Sequence, residues 1–257
     1  MLHALFHVIV PALLLSDASG GALVGPVPAA SPPSASENAR LRSVRRAARD
    51  GMCTSPLEDA AIEKVGGEFA ATYGEITDKG FSTLGTALRL APDDVFVDCG
   101  SGLGRAVVQA AREFGVSRSC GIEYAASRHE LAMKGLNAAA DAELVAERVR
   151  LVCGDCAEPS LWQPPSGELA GATVVYAANL LFDKALNERL RSCLEGCSQL
   201  RAVACLTEWP SGLAGFGPPT EVLCETSWSA PLQVFDYKSG GVVPHAGTAV
   251  YVYERQE

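Results

Sequence analysis

The chain lacks an apolar run long enough to cross a membrane. The stretch ALFHVIVPALLL, residues 4–15, has twelve residues broken by His7 and Pro11, against the ~20 that a span requires. Histidine is scarce: the four residues, His3, His7, His129 and His245, form no cluster. Among nine cysteines only Cys153 and Cys156 have C-x-x-C spacing, with no second pair or nearby histidine to complete a zinc site. They read as buried reduced thiols, which suits a reducing compartment. Positive charge is also short, with 21 basic residues against 30 acidic and a net charge of −9. Residues 1–50 hold five of the basic and three of the acidic residues, leaving 16 and 27 for the rest, a balance of −11. That composition argues against gripping nucleic acid by long-range attraction alone. No internal repeat is present.

What is there supports a sizeable core: 257 residues, 48% hydrophobic and 20% charged, enough for one large α/β domain and an extension. The composition shifts near Gly51. Before it, SDASGGA follows the apolar run as a small-residue cleavage region would, and GPVPAASPPSASENARLRSVRRAARDG is rich in Ala, Pro, Ser and Arg. Residues 1–50 read either as a signal plus a transit-like leader for an organelle such as a plastid, or as an untargeted disordered extension. Residues 51–257 form the domain, with a helical lead-in over 55–91 and a sheet core over 92–257.

Short apolar, β-rich runs recur at 94–98, 119–124, 149–155, 173–178 and 201–207. Helical patterns lie between them. Val107, Ala110, Ala111 and Phe114 share one helix face, as do Leu186, Leu190, Cys193 and Leu194. Alternation of this kind predicts a mostly parallel sheet covered on both faces. The runs at 220–228 and 247–255 have no helix between them and predict an antiparallel pair at the end of the sheet. Residues 56–71 and 77–90 read as helices separated by TYGEIT.

The turn after the first run carries D-x-G-x-G-x-G: Asp98, Gly100, Gly102 and Gly104. Neither frame fits the dinucleotide fingerprint G-x-G-x-x-G, and the Walker G-K-[ST] is absent. In an open α/β sheet, ligands bind beyond the carboxyl ends of the strands. An acid at the first strand tip suits an ammonium better than a pyrophosphate. Glu123, nineteen residues after Gly104, ends the second run and can accept two hydrogen bonds from a ribose diol. Asp155 ends the third run, within reach of an adenine amino group. Ammonium, ribose diol and adenine together describe S-adenosyl-L-methionine, and the pattern resembles the acidic-glycine motif of class I methyltransferases, whose Rossmann-like sheet has seven strands.

Four further pieces narrow the resemblance. TYGEIT (72–77) precedes FVDCGSGLGRAVVQAA (96–111), followed by GIE (121–123), GD (154–155) and VVYAANLLFD (174–183). Over roughly residues 60–210 this resembles the Disruptor-of-telomeric-silencing family, histone-lysine N-methyltransferases without the SET fold. The resemblance implies that Tyr73, Gly74 and Glu75 form a lid over the methionine end of the cofactor. It implies that Asp98 holds the amino group while Gly100, Ser101, Gly102 and Gly104 wrap it. Glu123 would bind the ribose, with Asp155 and Cys156 beside the adenine. Asn179 would sit at the mouth of a lysine channel, also touching the cofactor, with Phe182 nearby and Trp228 in the channel wall. Tyr73, Asn179, Phe182 and Trp228 are therefore the candidate catalytic residues.

The chain departs from the family at Arg105 (glutamine there), Cys156 (phenylalanine) and Ala178 (asparagine), and Val234 and Phe235 fall where tyrosines stand. The lysine-rich tail that grips DNA is missing. Three readings follow: a protein-lysine methyltransferase acting on a histone or nucleosome, a class I methyltransferase with another protein or small-molecule acceptor, or a non-catalytic cofactor-binding module. The first places the protein in the nucleus, and an organelle leader would place it elsewhere.

Overall fold

A computed structural model describes residues 54–137, 147–230, 233–236, 241–244 and 246–256. The leader read in residues 1–50 lies outside the described residues.

Among the described residues, nine strands and five α-helices follow in chain order. Helices α1 (Pro56–Gly66) and α2 (Asp78–Ala87) precede β1 (Val95–Cys99). Then come α3 (Arg105–Gln109), continuing as a π turn (Ala110–Phe114), β2 (Arg118–Glu123), α4 (Ala126–Asn137) and β3 (Val149–Cys153). The remaining elements are β4 (Val174–Ala177), α5 (Lys184–Glu195), β5 (Ala202–Cys205), β6 (Thr220–Cys224), β7 (Gln233–Asp236), β8 (Gly241–Pro244) and β9 (Thr248–Glu254). The main sheet runs β3-β2-β1-β4-β5-β9-β6. Its first five strands are parallel and β9 is antiparallel to both neighbours. This is the mostly parallel sheet with a terminal antiparallel pair that the alternation predicts, in the seven-stranded class I form that the resemblance implies.

Local chemistry sets the element ends. Ser55 caps α1, accepting a hydrogen bond from the Glu58 N–H at 3.2 Å, with Pro56 in the first turn. The sequence predicts this helix to residue 71, but it stops at Gly66 because Gly67 turns the chain at φ 99°. Thr77 caps α2 and Asp183 caps α5 in the same way. Leu186, Leu190, Cys193 and Leu194 of α5 all lie in one core layer, with Val97, Cys99, Val175 and Val203 of the sheet. Phe81, Leu84 and Leu88 pack on the opposite face against Phe96, Val174 and Tyr176. Two layers on one sheet bury both of its faces, so its strands are apolar nearly throughout. The predicted face of α3 divides between two clusters: Ala110 and Phe114 join the α2 layer, while Val107 and Ala111 pack with Val149. The hairpin β7–β8 forms a separate two-stranded sheet.

Topology positions the site. The strand order reverses between β1 and β4, so the loops after these strands splay apart there. The crevice at such a point is where α/β sheets bind ligands.

Candidate active site

The turn after β1 is built by the backbone. Gly100 and Ser101 donate their N–H groups to the Ile122 carbonyl at 2.9 and 3.0 Å, and Gly104 N–H closes on Ser101 at 2.7 Å. Gly100, Gly102 and Gly104 have φ of 83°, 53° and 72°, the left-handed region that side chains resist. At Gly102 a Cβ would also lie 3.0 Å from the Tyr73 ring. That close approach seats the Tyr73-Gly74-Glu75 segment on the turn.

The segment is stitched down from its other side. Ile76 bridges Thr226, Ser227 N–H donates to the Glu75 carbonyl at 2.8 Å, and Thr77 N–H donates to Glu225 at 3.0 Å. The Glu75 N–H donates to Ser227 Oγ at 3.1 Å. Gly74 admits the half-buried Trp228, whose ring would be 2.7 Å from a Cβ there. Phe182 lies against the other flank of the turn, 3.6 Å from where a Gly100 Cβ would stand. Tyr73, Trp228 and Phe182 are thus brought together around the glycine turn.

Asp98 lies at the bottom of the crevice, 4% exposed. Burial, with repulsion from Glu123 and Glu75, pushes its pKa up to about 8. Its Oδ1 has no hydrogen-bond partner, and neither does Glu75 Oε1. The Tyr73 hydroxyl faces the Glu75 carboxylate outside hydrogen-bond geometry, and burial together with that carboxylate keeps its proton on. The Tyr176 hydroxyl, on the β4 residue paired with Asp98, is also buried without a partner. Each buried unpaired acceptor costs about 1–3 kcal/mol. A ligand ammonium would supply both the missing donors and the missing charge, so the residues present fit the methionine end of S-adenosyl-L-methionine.

Glu123 is held rigidly, its two oxygens accepting from the Gly102 and Ala125 N–H groups at 2.8 Å each. Asp155 stands two residues past the end of β3, later than the sequence places it, and accepts from Ala157 N–H and Arg189 Nη1 at 2.8 Å each. Cys156 is buried against Cys99, and its carbonyl accepts from Trp162 Nε1 at 2.9 Å.

Asn179 departs from its expected place. Instead of presenting an amide to a channel, it is fully buried and its side chain makes four hydrogen bonds. Nδ2 donates to Asn187 Oδ1 at 2.7 Å and to the Thr207 carbonyl at 3.2 Å. Oδ1 accepts from the Leu206 and Thr207 N–H groups at 2.9 Å each. It ties the loop after β4 to the end of β5 and to α5, and so shapes the mouth without lining it.

Three residues have contacts at the site that the sequence did not assign them. Arg105 pairs with Glu75 and with Asp78, both at 3.1 Å. Arg128, at the start of α4, sits 5.1 Å from the Tyr73 ring centroid, a cation–π distance. Tyr176 had a visible signal, a hydroxyl amid an otherwise apolar run. A cavity of about 270 Å³ opens on the α1 side of Tyr73, lined by Thr54, Asp59, Glu63, Thr72 and Arg128.

The family described as "Histone methylation protein DOT1" matches residues 67–207, more than half of the chain. The chain belongs to the DOT1 family. It is accordingly a methyltransferase, with S-adenosyl-L-methionine as its methyl donor. The DOT1 match begins just before the Tyr73-Gly74-Glu75 segment and ends just after β5, so it spans every strand end that the crevice uses. Among solved structures, the methyltransferase domain of bacterial CtHen1-C is similar at a TM-score of 0.50 and 10% identity, over 70% of this chain and 98% of that one, a likeness of fold alone. An RNA methyltransferase from Salinibacter ruber, in complex with S-adenosyl-L-homocysteine, is 25% identical over 69% of this chain and 91% of its own, at a TM-score of 0.44. No curated protein is similar enough to match.

Proposed function

We propose that this DOT1-family enzyme is a protein-lysine N-methyltransferase acting on a histone. The observation that carries the reading is the lid: Tyr73 packed on Gly102 and Trp228 packed on Gly74. In this reading these rings and Phe182 would flank the approach of a lysine side chain to the glycine turn.

When bound, the cofactor supplies a sulfonium-activated methyl group for in-line displacement by a neutral amine. In this reading Asp98 holds the cofactor ammonium and Glu123 its ribose diol. Asp155, braced by Arg189, and Cys156 border the adenine. A lysine ammonium has a pKa of about 10.4 in water. An apolar wall disfavours the charged form and frees the lone pair. Tyr73, Phe182 and Trp228 exclude water and orient that amine, and orientation of this kind can supply much of the rate. Asn179 positions the loop that carries Phe182, and no side chain is an obligatory base.

A second reading, another protein or a small molecule as acceptor, is favoured by one observation: outside residues 1–50 the chain carries a balance of −11, a poor match for nucleosomal DNA. Radiolabelled methyl transfer to nucleosomes, free histones and total lysate decides between them. Label on nucleosomes or histones is expected, and label confined to other acceptors overturns the histone assignment.

A further inference from the structure

We propose that Arg105 is a positioning residue, an electrostatic latch that fastens the Tyr73-Gly74-Glu75 lid over the glycine turn. The inference rests on reading that turn as the cofactor site, and its test is separable from that reading.

Arg105 opens α3 directly after Gly104. A cation in the first turn of a helix opposes the helix dipole, so the helix itself gives no reason for an arginine there. Its partners do. Nη1 reaches Glu75 Oε2 in the lid and Nη2 reaches Asp78 Oδ1, the first residue of α2, each at 3.1 Å. One guanidinium therefore joins the helix after the turn, the lid and the helix after the lid. The Arg105 side chain is 23% exposed and that of Glu75 is 12% exposed, so the pair is screened less than a surface pair.

Without Arg105 the lid would be repelled. Glu75 and Glu123 both bear on Asp98 with like charge, and both raise its pKa. The lid therefore closes one carboxylate over the Asp98 carboxyl and its neighbour Glu123, a repulsion felt in full once Asp98 loses its proton, above about pH 8. A guanidinium against Glu75 reverses the sign of that interaction. The glutamine found here in the family the sequence resembles carries no charge and cannot do so. Lid closure in this chain accordingly depends on ionic strength.

The test uses amide hydrogen exchange on the ligand-free full-length protein. The Glu75 and Thr77 amides, held by Ser227 Oγ and the Glu225 carbonyl, report lid opening directly. Arg105→Ala and Arg105→Gln are expected to speed exchange at these two amides about tenfold while strand amides of β1 and β4 keep their protection. Arg105→Lys should restore part of it. Raising salt from about 0.05 to about 0.5 M should speed lid exchange in the unaltered protein and should not speed it in Arg105→Ala, where only repulsion is left to screen. Unchanged lid exchange in Arg105→Ala, or faster exchange spread evenly over the sheet, overturns the latch. If the variants do not fold, the salt series on the unaltered protein decides alone, and a salt-insensitive lid overturns it. S-adenosyl-L-homocysteine binding, expected about tenfold weaker in Arg105→Ala, separates the two readings. If the lid responds as expected while the unaltered protein binds no homocysteine product, the latch stands and the cofactor assignment falls.

Discussion

Asp98 makes the ligand-free protein sensitive to pH in an unusual direction. Its carboxyl is raised from 3.8 to about 8, so between those values the folded state holds a proton that the unfolded state has released. Stability from this group is full below about pH 4 and is lost as pH rises to about 8. The melting temperature of the ligand-free protein should therefore decline across that window, and Asp98→Asn should flatten the decline. Equal slopes in both proteins would contradict the burial argument. At Gly102, alanine must adopt φ 53° and push against the Tyr73 ring. Gly102→Ala is expected to destabilise the ligand-free protein by ~1–2 kcal/mol of left-handed strain, as denaturant unfolding would measure, and no loss of stability would contradict the turn described. Asp98 and Glu123 were legible in the sequence because a strand end fixes where its last side chain goes. Arg105 and Asn179 were not, because most of what each does is set by partners 27 or more residues away, brought near only by the fold.

At the scale of elements, α5 was the most readable. Its apolar positions recur at helical spacing, and all four fall in one buried layer. Leu190→Ala should cost about 2–5 kcal/mol in denaturant unfolding, with cofactor binding retained in the folded fraction. A cost under ~1 kcal/mol would contradict the packing described. The lid was legible as a motif but not as a structure. TYGEIT has no period, and its order comes from pairing with residues 225–227, whose register a sequence does not display. Ser227→Ala removes one stitch, the bond from the Glu75 N–H. It is expected to raise the Michaelis constant for the cofactor severalfold with turnover little changed, since a bond of this kind contributes about 0.5–1.5 kcal/mol. Unchanged kinetics would mean that the lid needs no stitch there. The β7–β8 hairpin went unread because its strands pair with each other and stand apart from the alternation that builds the main sheet.

The whole molecule is a class I sheet whose crevice gathers acid from several segments: Glu75 from the lid, Asp98 from β1 and Glu123 from β2. That surplus suits a cationic cofactor and releases it less charged, because methyl transfer removes the sulfonium charge. A mostly parallel sheet was legible from alternation, since parallel strands joined by helices leave few topologies, and its seven-stranded class I form from the resemblance. The acceptor was not, because the walls that select it come from side chains distant in sequence. The most direct test of the account is calorimetric titration of the purified chain with S-adenosyl-L-homocysteine, alongside Asp98→Asn. The account expects saturable one-site binding that the substitution weakens at least about thirtyfold, the cost of removing one partner of a buried charge pair. No heat from the unaltered chain, or equal affinity in the two proteins, would contradict it.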